Sequence, residues 1–483
     1  MMHSMEKNMV AMNKRRFAAG KNVLRLILVL LGPVAMVVPS RADDGVTNHM
    51  TAVLSQPLSL ANAVDIALQH NGDILKGQHD LQAQYGVVVQ TRAIAIPHLQ
   101  SSGNYQYTTE LETESIPNLP FTVPGTEPIH NSWTANIQLV QTIYQGGQVL
   151  SSLRSAKLIK SQAMLDYQTI VADSLLSVRV AYYDVLAAAD QIVVNEASVA
   201  LLTKQFEDQQ RRFDAGTVPK FNVLQADVEL ANEKPKLIQA RNAYRISKNN
   251  LVNVLGHHIP RDIWEDIPLQ LTDKLDSDPY KIELPAALAT ALDKRSELAS
   301  LRKQQDLRKE GITSATSNYK PTFQVFGGYG ARSAQFISDD PAYTIHGASA
   351  GAQFTWNIFD GLATKGKTDQ AKELFEASKV EVDNEARRIE LEVRTDYSNF
   401  IEATETLESQ KRVQEEAEES LRLAKARADA GTGTQLEVLS AQTSLTQARS
   451  TQVQALHDYD VTRARLERAI GVNIMQSAPP VVK

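Results

Sequence analysis

Residues 361–368, Gly-Leu-Ala-Thr-Lys-Gly-Lys-Thr, fit the pattern of a phosphate-binding loop. Such a loop holds phosphates with backbone amides at a helix N-terminus and with the lysine, here Lys367. Three observations make the match a coincidence. The preceding segment alternates apolar and polar residues, whereas phosphate-loop strands lie in buried parallel sheets and read as continuous apolar runs. The corresponding stretch of an internal repeat, from Gly146 to Ser152, keeps the glycine but lacks the Gly-Lys pair. An N-terminal export signal, set out below, directs the chain to a compartment without ATP.

His257-His258 has no carboxylate or third histidine at metal-ligand spacing and reads as a surface pair in a linker. Glu415, Glu416, Glu418 and Glu419 read as the solvated face of a helix. The chain has no cysteine, which excludes disulfides, thiol catalysis, cysteine-based zinc sites and lipoprotein acylation. No Ser/His/Asp arrangement has a spacing that recommends it. The expectation is a protein without catalytic residues, cofactors or metals, and not an enzyme.

The residues that remain lie at two matching turns. Arg212, Ala215, Gly216 and Thr217 recur as Arg427, Ala430, Gly431 and Thr432, and Val223-Leu224 recurs as Val438-Leu439. Glycine there suits a left-handed helix C-cap. Capping with coiled-coil packing accounts for these residues, and so does an exposed tip on which other helices dock. Both accounts stand.

What positions the turns is a duplication. Leu60, Ala67, Pro97, Gly103 and Tyr105 have counterparts 224 positions later, and beyond one loop the offset is 215. Each copy reads as helix, strand pair, very long helix, turn and return helix. The first helix is expected over about 60–95 and its repeat over about 285–318, each stopped by a proline, Pro97 or Pro321. Strand patterns follow, such as Trp133, Ala135, Ile137, Leu139 and, most regularly, Ala348, Ala350, Ala352, Phe354, Trp356, Ile358, alternating with small polar residues. Strands of about ten residues with aromatics near their ends are the mark of an outer-membrane barrel. An ordinary two-sided antiparallel sheet explains the alternation equally well. The export signal and the lack of a second apolar layer favour the barrel. Four strands cannot close alone, since membrane barrels need about eight, so an oligomer pools them.

The long helices carry heptad seams. Val178, Val185, Ile192, Val199, Phe206 and Phe213 are matched by Val393, Phe400, Leu407, Gln414, Leu421 and Ala428. About 65 residues at 1.5 Å each make a rod of roughly 100 Å.

Residues 1–42 combine basic residues, an apolar run from 26 to 38 and Ser40-Arg41-Ala42 before Asp43-Asp44, a secretory signal cleaved near Ala42. Its seven basic residues and one acid leave about −12 on the remainder of a chain that totals −6, which disfavours nucleic acid. The expected division is 1–42 signal, 43–256 first repeat, 257–283 linker, 284–474 second repeat and 475–483 tail.

With the aromatic-x-Gly exits at Tyr144 and Phe359, the Pro-to-strand junctions and the paired Gly-Thr tips, residues 58–474 resemble TolC-like outer-membrane efflux proteins. The resemblance implies a mostly α chain with a membrane β-barrel portion. Three copies would pool twelve strands into one barrel continued by an α-helical periplasmic tunnel. It implies a passive exit duct in the outer membrane of a Gram-negative-type bacterium, serving tripartite efflux or type I secretion. The partners implied are a homotrimer, outer-membrane lipid, a periplasmic adaptor and an inner-membrane transporter of RND, ABC or MFS type. The tips, Arg212, Ala215, Gly216, Thr217, Arg427, Ala430, Gly431 and Thr432, look like adaptor-docking grooves. Glu437 matches an acidic position of the family's periplasmic aperture. The second acid of that pair is Ser440 here, the first-repeat counterpart is Asn222, and the family's tip arginine is Gly433. An exported coiled-coil scaffold without a pore is the competing class, and a nucleotide-binding protein rests on 361–368 alone.

Overall fold

A computed structural model describes residues 57–109, 131–258, 267–275, 277–333 and 344–472. The signal segment, the strand-pair loops with Pro117, Pro120, Pro124, Pro128 and 338–341, Pro260 of the linker, and the tail lie outside the described residues. In chain order the elements are α1 (Leu60–His70), α2 (Gly72–Arg92), β1 (His98–Tyr107), β2 (Asn131–Gln145), α3 (Gln148–Asp214) and α4 (Lys220–Val254). Then follow α5 (Leu284–Lys294), α6 (Ser296–Thr316), β3 (Thr322–Ser333), β4 (Thr344–Thr355), α7 (Ala363–Asp429) and α8 (Gln435–Ile470). The two longest helices, α3 and α7, both have 67 residues, which gives each a length of roughly 100 Å.

The single helix expected over 60–95 is two. Asn71 adopts an extended backbone, its Oδ1 accepts the Asp73 and Ile74 amides, and its Nδ2 donates to the Val254 carbonyl at 2.6 Å. A side chain that bonds the backbone this way offers an alternative to the helix and ends it. The second copy breaks at the matching place, Arg295, where a guanidinium nitrogen donates to the Ala469 carbonyl at 3.2 Å. Positions 254 and 469 are counterparts, so one carbonyl is served by an amide in one copy and by a guanidinium in the other. The strand expected to run to Ile358 ends at Thr355, and the Trp356 indole donates to the Tyr319 carbonyl.

Each copy has its own apolar core where the short helices lean on a long one. In the first, Val178, Tyr182 and Val185 of α3 meet Ala63 and Ala67 of α1, Leu251 of α4 and Leu255 just beyond it. In the second, Ile389, Val393 and Phe400 of α7 meet Ala287, Leu298, Leu466 and Ile470. Burying one such leucine stabilises by about 1.5–3 kcal/mol. Farther along the rods the heptad seam thins, and Phe213, its last member, is 36% exposed.

The strands form one antiparallel sheet in the order β1-β2-β3-β4, so β2 and β3 join the two copies. The register sorts the residues by face. Leu99, Leu139, Gly327 and Ala350 lie in one row, and Ser101, Ile137, Tyr329 and Ala348 in the next. The opposite face carries rows such as Gln100, Gln138, Gly328 and Ser349. Tyr105 and Trp133 mark one end of the apolar face, and Phe323 and Phe354 the other. That is the two-sided pattern of a barrel between lipid and water, with aromatics at both margins.

Candidate functional site

Both hairpin ends are built by the same backbone device. At the end of α3, Gly216 has φ +76°, its amide donates to the Phe213 carbonyl at 2.8 Å, and the Thr217 amide donates to the Arg212 carbonyl at 2.9 Å. At the end of α7, Gly431 has φ +73°, its amide donates to Ala428 at 3.1 Å, and Thr432 donates to Arg427 at 2.9 Å. This paired 5→2 and 6→1 bonding is a Schellman cap, and it needs a residue free to take the left-handed conformation. The threonine hydroxyls reinforce it, donating to the same arginine carbonyls at 2.8 and 3.2 Å. Ala215 and Ala430 close the last α-helical turns by donating to Arg211 and Ala426. A Cβ added at either glycine would meet nothing within 4 Å, so both glycines face open space.

The arginine side chains separate the two tips. Arg212 turns back along its own helix to Asp208, 2.8 Å away. Arg427 reaches across the turn to Glu437 of the return helix, 3.6 Å away. Glu437 is held at the start of α8, where its amide donates to the Thr434 hydroxyl. Arg427, Glu437 and Ser440 line one open groove of about 1110 Å³ together with Glu415, Glu416 and Glu419. The acidic run is exposed, and Glu415, Glu416 and Glu419 of it face the same groove as Glu437. Asn222 stands on the other hairpin, half-buried, with its amide donating to Pro219, and does not line that groove. Hydrogen bonds from Arg422 hold Glu419, and from Arg449 and then Gln414 hold Glu418, below the usual carboxylate range.

The tips are held side by side. Leu439 of α8 packs with Leu202 and Leu230 of the first hairpin, and Leu201 of α3 packs against Leu421 and Val438. The Val438-Leu439 pair thus serves packing: Val438 faces its own hairpin and Leu439 the neighbour, whereas in the first copy Val223 is buried and Leu224 is 54% exposed.

Residues 361–368 do not form a phosphate cradle. Gly361 and Leu362 take left-handed conformations, and α7 begins at Ala363, which puts Lys365, Gly366 and Lys367 inside the helix. The Asp360 carboxylate accepts the Thr364 amide at 2.8 Å, occupying the position an anion would need.

His257 is not on the surface. It is 8% exposed, its ring lies 4.9 Å from that of His70, and neither ring nitrogen has a hydrogen-bond partner among the described residues. Burial, and then the neighbouring His70 and His258, hold its pKa below the ordinary value. Gly256, at φ +81°, brings the chain so close to His70 that a Cβ there would lie 1.9 Å from its carbonyl oxygen.

A belt of charges at the level of the two cores was not foreseen. Arg179 of α3 meets Glu467 of α8 at 2.7 Å with both side chains buried. Arg468 bridges Asp173 and Glu297, and Arg295 bridges Glu297 and Glu392. Burial would raise the pKa of Glu297, but hydrogen bonds from Arg468 and Arg295 outweigh it and bring the value down to about 2. Among the described residues no group of three or more His, Cys, Asp or Glu is arranged to hold a metal.

The family model for outer membrane efflux proteins matches residues 63–257 and 287–472, once per copy. The outer membrane protein TolC of Escherichia coli is 24% identical over 434 residues, spanning 86% of this chain and 83% of that one. The alkaline protease secretion protein AprF of Pseudomonas aeruginosa is 23% identical, spanning 86% and 85%. Among solved structures, the outer membrane protein VceC of Vibrio cholerae superposes with a TM-score of 0.69 at 17% identity, covering 85% of this chain and 96% of that one. The open state of the MtrE channel of Neisseria gonorrhoeae gives 0.67 at 17%, covering 85% and 88%.

Proposed function

This chain belongs to the outer membrane efflux protein family, and from that premise we propose that it is the outer-membrane exit duct of a tripartite efflux pump or a type I secretion system. The observation that carries the reading is the sheet. It is apolar on one face and polar on the other, and the outer edges of β1 and β4 have no strand partner among the described residues. Unpaired strand edges do not persist in hydrocarbon, so the sheet must close by pooling strands with other copies. Three copies supply twelve strands, whose polar faces line a water-filled lumen while lipid covers the apolar ones. The rods continue that lumen into the periplasm.

The tips are the docking ends. The grooves beside Gly216-Thr217 and Gly431-Thr432 take the helices of a periplasmic adaptor, which links the duct to an inner-membrane transporter of RND, ABC or MFS type. Cargo selection belongs to the transporter, and the Arg427–Glu437 contact belongs to the aperture. Residues 1–42 direct export and are removed. The two copies, 43–256 and 284–474, act as equivalent staves on either side of the linker 257–283.

The test is single-channel recording from purified protein in planar bilayers, paired with loss of drug or protein export in a deletion strain. Ohmic conductance with export lost is expected. A detergent-independent protein with no conductance would instead fit a periplasmic scaffold.

A further inference from the structure

The two hairpins of one chain meet along α3 and α8, and that seam is bonded differently from the hairpins themselves. Inside the second hairpin Leu421, Val438 and Leu445 form an apolar seam, flanked by exposed polar contacts such as Arg449–Glu418. Between the two hairpins, from the tips toward the waist, Leu439 gives way to polar pairs. Thr446 donates to Ser198 at 3.1 Å and Ser450 to Gln191 at 2.9 Å. Next comes His457, whose Nε2 is 2.7 Å from Asp184 of α3 and whose Nδ1 is 3.0 Å from Asp458 of its own helix.

Ionised carboxylates only accept hydrogen bonds. An imidazole with a carboxylate oxygen within 3.0 Å of each nitrogen donates to both carboxylates only when both nitrogens carry protons, as in the cation; the Gln454 amide nitrogen also lies 3.4 Å from Nδ1. The neutral ring has one N–H, so deprotonation turns one contact into a lone pair facing a negative oxygen. Asp458 is the adjacent residue of the same helix, so of these two contacts only the one to Asp184 joins the hairpins, and loss of the imidazolium charge weakens it. We propose that His457 is a proton-dependent latch across the inter-hairpin seam, closed as the imidazolium and released from Asp184 as the pH rises. The proposal rests on the channel reading above and assigns regulation to it.

The surroundings favour this assignment. The His457 side chain is 16% exposed, and Gln454 also donates to Asp458 at 2.8 Å. Toward the waist on α8 come the buried Asp460 and then Arg463, which bonds Glu467; Glu467 also pairs with Arg179 of α3. The helix α7, also packed on α8, carries Glu402 and Glu405 near this level, both exposed. Burial lowers the pKa of His457, but the hydrogen bonds and charges of Asp184 and Asp458 outweigh it and raise the value above the ordinary 6.5. The latch is therefore fully closed below pH 6.5 and is lost as the pH climbs through the raised value.

The experiment is bilayer conductance of the purified full-length protein between about pH 6 and about pH 8.5, a window in which exposed carboxylates stay ionised. The expected result is a conductance that rises with pH in the native protein. His457→Gln and Asp184→Asn should lose the pH step and stay at the high level. His457→Arg, which fixes the charge, should lose the step and stay at the low level. A pH step that survives unchanged in His457→Gln overturns the latch, as does a native conductance independent of pH. A native protein that conducts at no pH overturns the channel reading instead.

Discussion

Glycine does two different jobs in this chain, and single substitutions separate them. Gly216 and Gly256 both hold positive φ, but only Gly256 lies against another backbone, the His70 carbonyl. Gly216→Ala should cost about 1 kcal/mol, the strain of a left-handed alanine with nothing to collide with. Gly256→Ala forces the ends of α1 and α4 apart and should remove most of the folded protein. Thermal melts by circular dichroism compare the two, and similar midpoints would contradict the close approach at Gly256. The tip residues were legible in the sequence because a helix cap is local, spanning six residues from Arg212 to Thr217. Their charge partners were not. Glu437 looked like an unmatched acid until the turn brought Arg427 to it. His257 was misplaced for a similar reason, since what buries it is the close approach at Gly256 and the ring of His70.

At the scale of elements, rods, tips and alternating strands could be read from periodicity, which needs only neighbours three, four or two positions away. The breaks at Asn71 and Arg295 could not. Each is secured by a carbonyl more than 170 residues distant, Val254 or Ala469. The charged belt escaped notice on the same grounds, since Arg179 and Glu467 are 288 positions apart. This belt ties α3 to α8, and its central pair is buried. Arg179→Ala leaves Glu467 with Arg463 alone, at 3.2 Å and partly exposed. Removing one member of a buried pair costs about 3–5 kcal/mol, and the surviving Arg463 contact puts this case at the lower end. Arg179→Met with Glu467→Met removes both charges and should recover much of the loss in chemical denaturation. A double variant less stable than the single one would mean that the belt contributes more than the burial of its charges costs. The first copy fills the place of Arg295 with Asn71, so its break is capped by an amide and the second copy's by a charge.

For the whole molecule, the register of the sheet predicts which surface meets lipid. Ile137 lies in mid-sheet between Ser101 and Tyr329, on the apolar face, and Gln138 beside it points the other way. Ile137→Arg places a cation in hydrocarbon, at a cost of about 2–4 kcal/mol near the midplane. Gln138→Arg places the same cation in the aqueous lumen at little cost. The fraction of chain recovered as assembled oligomer from outer membranes should fall for the first substitution and hold for the second. Equal losses would reverse or abolish the two-faced reading. The sequence could show that strands alternate. It could not show that β2 pairs with β3 across the two copies, because nothing local links residues 137 and 329. The matched lengths of α3 and α7 carry a last consequence. Removing one residue from one of them would turn everything beyond it by about 100° and raise its tip by about 1.5 Å relative to its twin. The seams tolerate change only in whole heptads, made in both legs of both hairpins together. A tube built this way has a quantised length, adjustable in steps of roughly 10 Å and fixed in between.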